Sequence, residues 1–276
     1  MPGAVTSTNQ SQAMDLGLKD KVIMVAASSK GLGYGIADAV AADGARVSMA
    51  SRTSADITAA AERLAAQHGA DARGYVMDAT DADSIAAWTE ATLKDFGRID
   101  GLVVNAGGPP AGKFDAFDDE AWAHAFNLTL MSSVRMIRGV LPTMRAQGSG
   151  SILTITSSSV KEPVDFLLLS NVFRSGVVSL AKSLAGELAP VGIRVNNLVP
   201  GQVDTDRVRN LDRFAAERSG IPVEEQRAAR QKLIPMGRYG APDEFGKTGA
   251  FLLSDAASYI TGATLLVDGG RSRTVW

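Results

Sequence analysis

The chain has no cysteine among its 276 residues and only two histidines, His68 and His124. Disulfides and thiolate zinc sites are thereby excluded, and two imidazoles so far apart make no ligand cluster, so no metal is expected. Neither sign of charge prevails: 28 Lys and Arg stand against 30 Asp and Glu. No long-range field draws the protein to nucleic acid or to an anionic membrane. Hydrophobic runs are short, well under the about 20 residues that span a bilayer. The opening MPGAVTSTNQSQAMDLGLKDK lacks both a basic n-region and an apolar h-region, which predicts no signal peptide, no anchor and a cytoplasmic location. Its first 16 residues, polar and without apolar spacing, read as a disordered tail. The expected partner is a small molecule.

What is present is core-forming material, 45% hydrophobic, ample for one large α/β domain or two average ones. Short apolar runs alternate with helical patterns. KVIMVAA (21–27) precedes a helix to about 42, ARVSMAS (45–51) a helix over 54–67, and ARGYVMD (72–78) a helix over 81–96. IDGLVVNA (99–106) then leads into a helix over 118–146, and GSILTITS (150–157) into one over 171–189. IRVNNLVP (193–200) and TLLVDGG (264–270) complete the set. Strands regularly separated by helices predict a doubly wound, Rossmann-like domain over 17–276, with a mainly seven-stranded parallel sheet. No repeat or Pro/Gly/Ser linker divides it. In such a sheet ligands sit beyond the carboxyl ends of the strands.

After the first strand comes AASSKGLGYGIADAVA (26–41), where Gly31, Gly33 and Gly35 crowd a turn and the first helical turn. Missing Cβ atoms there let the backbone approach a pyrophosphate placed on the helix N-terminus. Tight helix–strand packing wants the same small residues, so the pattern alone decides little. The second strand ends in MASRTS, without the acid that would hold a ribose 2′-hydroxyl. Arg52 stands there instead, suited to a 2′-phosphate, and Lys30 adds a cation in the turn. These residues favour NADP(H) over NAD(H).

Taken with Asp78 after the third strand, NAG at 105–107, Asn127, ITS at 155–157, PGQVDT at 200–205 and the ending PMGRYGAPDEFGKTGAFLLSDAASYITGATLLVDGG, the chain resembles a short-chain dehydrogenase/reductase. The likeness runs from about Lys19 to Gly270 and is greatest to the 3-oxoacyl-acyl-carrier-protein reductase branch. It implies an oxidoreductase whose cofactor-binding residues are Ser29, Lys30, Gly31, Leu32 and Gly33, Arg52, Asp78 and Ala79 at the adenine, Asn105, Ala106 and Gly107 near the ribose, and Pro200, Gly201, Val203 and Thr205 toward the nicotinamide carboxamide. The family's TGxxxGxG pattern has Ala27 at its first glycine here, which is expected to tighten or reshape the phosphate loop.

The family's catalytic spacing is a Ser, a Tyr thirteen residues on and a Lys four beyond. Ser157 fits the first place, but the next two hold Ser170 and Arg174. A serine without a base is too weak an acid to replace a tuned phenol, and a guanidinium does not give up its proton near neutrality. The sound alternative is oxyanion stabilisation, with Arg174, Ser157 and Asn171 hydrogen-bonding a developing enolate or a substrate carboxylate, and the proton coming from water, Lys161 or Glu162. A second role is open to Arg174, that of reaching the ribose in place of the lysine. Asn127 either holds a water below the site or fills a helix cap or bulge. A redox-neutral enzyme like the halohydrin dehalogenases, or a non-catalytic NADP(H) binder, remains as an alternative.

Residues 204–235 mix charged and apolar residues at helical spacing, and in the family this segment is a mobile substrate lid. Arg207 and Arg209 at its start are candidates to attract an anion. Gly107 to Pro110 form the expected opposite wall, and Phe166 to Leu169 an apolar lining, so the substrate should be partly hydrophobic. Relatives pair through the equivalents of helix 242–254 and strand 264–268. With Trp276 needing cover, a homotetramer is expected, or else a homodimer.

Overall fold

The computed structural model describes residues 15–275. Its first strand, β1 (Val22–Ala26), is buried along its whole length, as a run of VIMVA demands when both faces of a sheet are covered. Six further strands follow: β2 (Arg46–Ser51), β3 (Ala72–Val76), β4 (Gly101–Val104), β5 (Gly150–Ile155), β6 (Ile193–Pro200) and β7 (Thr264–Val267). All pair in parallel in the order β3-β2-β1-β4-β5-β6-β7. The expected doubly wound, seven-stranded sheet is therefore present. Its order reverses between β1 and β4, which opens the crevice where such folds bind ligands.

Alternate side chains of each strand go to opposite faces. Ile23 and Val25 pack beneath α1 (Gly31–Ala42), α2 (Ser54–His68) and α9 (Pro242–Leu253), with Ile36, Leu64 and Phe245 in the same cluster. Met24 and Ala26 point the other way. There Trp88 of α3 (Ala82–Phe96), Val140 of α5 (Ser132–Gln147) and Ala181 of α6 (Leu168–Leu188) complete the second cluster. Helices α1 and α9 cross so closely that a Cβ on Gly35 would strike the Pro242 carbonyl, and one on Gly246 the Gly35 carbonyl.

The helix expected over 118–146 is divided. After α4 (Asp119–Phe126) the ladder widens into a π-helical turn, Asn127–Met131, before α5 begins. Two helices, α7 (Asp206–Ser219) and α8 (Val223–Lys232), build the segment read as a lid. Leu16, assigned to the tail, packs against the first core cluster and its carbonyl accepts from the Asp255 amide. Residues 1–14 and Trp276, and with them the expected disordered tail and the expected subunit contact over Trp276, lie outside the described residues. Among those described, no helix is long and apolar enough to cross a membrane.

Candidate active site

Where β1, β4, β5 and β6 end, the chain encloses a cavity of about 890 Å³. Its floor is the glycine turn. Gly31 is left-handed (φ 64°), and Gly33 sits so close behind the Ala27 carbonyl that a Cβ would collide with it. Ala27 itself takes φ 49°, a conformation a glycine adopts freely and an alanine only with strain. Ala27 thus takes up the left-handed bend at the position where the family pattern has its first glycine. The methyl of Thr205, the N-cap of α7, lies 3.5 Å from where a Cβ of Gly31 would be. The N-termini of α1 and α7 therefore converge, and both present unpaired amides and positive dipole ends. That is a cradle for a pyrophosphate.

Along one wall lie Lys30, Gly31, Leu32, Asn105, Ala106 and Gly107, and along another Pro200, Gly201, Val203 and Thr205. The Asn105 amide donates to the Ala27 carbonyl at 3.4 Å, tying β4 to the turn. Beyond this cavity, at the ends of β1, β2 and β3, are Ser29, Arg52, Asp78 and Ala79. Arg52 is exposed. Asp78 accepts from both the amide and the hydroxyl of Thr80 at 2.8 Å, and these bonds, aided by the Arg52 charge, hold its carboxyl below the usual range. Lys30 also has a partner of its own. Its ammonium pairs with Asp206 of α7 at 2.7 Å and so joins the turn to the lid.

Ser157, Ser170 and Arg174 come together on the β5–α6 side of the cavity. Residues 170 and 174, four apart, share a helix face. Ser170 is 5% exposed, while Ser157 caps a short 3-10 turn, its Oγ accepting from the Ser159 amide at 3.2 Å. Arg174 donates to the Ile155 carbonyl at 3.0 Å. Burial, and then the nearby Arg207 charge, push its pKa down to about 10, so it stays a cation at neutral pH but an uncomfortable one.

Asn171 does not join them. One residue along the helix from Ser170, it faces away and clamps the backbone of Val164, donating to its carbonyl at 3.1 Å and accepting from its amide at 3.4 Å. Asn127 is also committed elsewhere. Its amide donates to the Thr80 carbonyl at 2.8 Å and its oxygen accepts from Arg135 at 2.6 Å, so the π-helical turn is pinned to the loop after β3. Glu162 reaches the cavity wall, but Lys161 does not, and of the expected apolar lining Phe166 and Leu167 do while Leu169 is fully buried.

None of the four tyrosines lines the cavity. The nearest in function, Tyr239, donates to buried Asp212, and burial with that carboxylate pushes the phenol up to about 12. Neither histidine is on the wall. Among the described residues no group of three or more acids and histidines is arranged to hold a metal.

Helix α7 closes the top. Arg207 turns inward, its pKa lowered by burial, and donates to the Pro109 carbonyl at 3.0 Å. Arg209 faces out and pairs with Asp204 and Asp206, so only one of the two candidate lid arginines serves the cavity. Sequence reasoning missed Gln202, whose buried Oε1 on the cavity wall has no partner, and Arg218, whose guanidinium stacks 3.3 Å from the Phe166 ring centre. Phe166 is held at φ 62° with its carbonyl accepting from the Gly112 amide at 2.6 Å. The strained residue therefore links the loop after β4 and the loop after β5 to α7.

The family described as enoyl-(acyl carrier protein) reductase matches residues 26–272. A putative ketoacyl reductase of the monensin polyketide synthase of Streptomyces virginiae is 35% identical, over 91% of this chain and 96% of that one. L-sorbose reductase of Gluconobacter frateurii, solved with NADPH and L-sorbose, superposes with a TM-score of 0.90 at 29% identity, over 95% of this chain and 100% of that one. A short-chain oxidoreductase of Pseudomonas aeruginosa PAO1, NADPH-bound and described as containing an atypical catalytic centre, is 31% identical with a TM-score of 0.83, over 93% of this chain and 100% of that one. With the matched family spanning nearly all of the described residues and the strand order, glycine turn and β6–α7 segment all in place, the chain belongs to the short-chain dehydrogenase/reductase family.

Proposed function

We propose that the protein is an NADP(H)-dependent oxidoreductase that delivers hydride to a carbonyl, or to a carbonyl-conjugated double bond, of a small and partly apolar substrate. The observation that carries this reading is Arg174. It is a guanidinium beside Ser157 and Ser170 in the cavity wall, with a backbone carbonyl as its hydrogen-bond partner and no carboxylate paired to it among the described residues. Burying such a charge unpaired is costly, and the cost is recovered when an oxygen of the substrate becomes negative.

The cofactor, when bound, supplies the hydride. The cradle at Gly31 and Gly33 fits its pyrophosphate, Arg52 suits the 2′-phosphate, Asp78 and Ala79 the adenine, Asn105, Ala106 and Gly107 the ribose, and Val203 and Thr205 the carboxamide. The NADPH complexes of the sorbose reductase and the Pseudomonas oxidoreductase support the same cofactor. Arg174 and Ser157 then donate to the substrate oxygen. With no phenol or imidazole on the wall, the proton comes from water entering at the exposed mouth beside Glu162 and Asp165.

Arg174→Ala should lower kcat by about 100- to 1000-fold, the usual scale for losing an oxyanion donor, and leave NADPH affinity within a few-fold. Loss of cofactor binding in step with turnover would assign Arg174 to the ribose instead. The pH profile of the intact enzyme is a second check. Because the group that matters keeps its proton up to about pH 10, turnover should stay level through neutrality and fall only in strong alkali.

The enzyme is proposed to work in the cytoplasm as a homotetramer or homodimer, with α7 and α8 as the moving lid. Edge strand β7 leaves Leu265 exposed, and Tyr259 in the segment before it is fully exposed, apolar surface that assembly would cover.

A further inference from the structure

Two of the cations that line the cavity, Arg174 and Arg207, donate to backbone carbonyls and pair with no carboxylate among the described residues. Arg174 comes from α6 and Arg207 from the lid helix α7. Both line the wall, and burial lowers the pKa of each. They are close enough that the charge of Arg207 further depresses the pKa of Arg174. Yet their hydrogen-bond partners are backbone carbonyls, Ile155 for one and Pro109 for the other. Of the other charged groups on the wall, Arg271 at the chain's far end also has no carboxylate partner among the described residues. Arg230 pairs with buried Asp212, Lys30 and Arg209 share Asp206, and Arg218 stacks on Phe166. Glu162 and Asp165 are exposed at the rim. Two repelling arginines on one wall, Arg174 partly buried and Arg207 still open to solvent, are both relieved when an anion completes the site.

Resting on the reductase reading above, we propose that Arg207 binds the carboxylate of the substrate while Arg174 holds the adjacent reacting oxygen, so that the substrate is a small organic acid such as a 2-oxo acid. A carboxylate next to a carbonyl presents its oxygens on one side, matching two guanidinium forks. The apolar wall of Val208, Leu211, Phe214 and Phe166 receives the remainder. Reduction places hydride on the carbonyl carbon and a proton from water on its oxygen. The products are the 2-hydroxy acid, oxidised cofactor and hydroxide. Arg207 sits on the lid, so carboxylate binding also draws α7 down over the site.

The test is calorimetric titration of the protein loaded with NADP+ with benzoylformate and with its methyl ester, which differ in the carboxylate charge. The acid should bind at least about tenfold more tightly than the ester. Arg207→Ala should erase that preference while leaving ester binding and NADP+ affinity within a few-fold, and Arg207→Lys should restore part of it. If Arg207→Ala does not fold, Arg207→Gln, which keeps a donor for the Pro109 carbonyl, takes its place. Failure of the acid to outbind the ester in the intact protein, including no binding of either, overturns the proposal. So does a variant that keeps the preference but loses NADP+, since the missing counter-ion is then the pyrophosphate of the cofactor. Reduction of the neutral ester by the intact enzyme, and its loss in Arg174→Ala, tests the reductase reading separately.

Discussion

The two ends of the cavity solve the problem of holding anions by opposite means. At the β1–α1 end the work is done by backbone: two glycines, one strained alanine and the N-termini of α1 and α7. At the β5–α6 and α7 end it is done by side-chain charge, by a partly buried Arg174 and a more exposed Arg207, neither paired to a carboxylate among the described residues. A backbone cradle depends on shape and fails when a methyl group is added. A charged fork tolerates shape changes and fails when the charge is removed. The first end is suited to a ligand always required, and the second to one that is selected and released.

The change expected to break this contrast most severely is Gly33→Ala. Its new Cβ would press on the Ala27 carbonyl, and neither α1, locked against α9, nor the turn has room to yield. Overpacking of this kind costs about 1–3 kcal/mol, and if that falls on the bound form NADPH affinity drops by about 10- to 100-fold. Titration of the variant with NADPH measures it. Unchanged affinity would show that the turn is plastic and that the backbone account is wrong.

Next in size is Arg52→Asp, the one place at this end where a side chain is asked to read charge. Replacing attraction to a 2′-phosphate with repulsion should weaken NADPH by about tenfold or more while sparing NADH. Because Lys30 shares its charge with Asp206, Arg52 carries most of the reading, and the NADPH-to-NADH ratio should fall with this single change. A ratio that does not move would relocate phosphate reading to another cation, with Arg63, which donates to the Ser29 carbonyl at 3.5 Å, next in line.

The backbone end was also the more legible in sequence. Alternating strands and helices fixed the sheet, and the glycine spacing fixed the turn, because both are local patterns. The helix period also holds the reason why Ser170 and Arg174 share a face and Asn171 cannot, a distinction the residue types alone conceal. What stayed hidden depends on contacts between distant segments. Arg207 and Arg209 look alike on paper, but two steps of 100° around α7 send one into the cavity and the other to Asp204 and Asp206. Lys30 found its partner on the lid, far along the chain. Asn127 sits in a π-helical turn that no periodicity announced, its amide used up on Thr80 and Arg135.

The smallest expected effect tests how strictly the backbone end is shaped. Ala27 occupies φ 49°, and a left-handed alanine carries about 1–2 kcal/mol of steric cost. Glycine removes that cost but adds about 0.4–1 kcal/mol of unfolded-state entropy. Ala27→Gly should therefore stabilise the protein by roughly 1 kcal/mol or less, seen as a rise of a few degrees in Tm. The carbonyl that receives Asn105 and backs Gly33 keeps its place, so NADPH affinity should not change. A stabilised variant with unaltered affinity would mean that the alanine is strain tolerated by a cradle already complete. A variant that binds NADPH more weakly would mean that the alanine rigidifies the turn, and that shape at this end is maintained by a side chain after all.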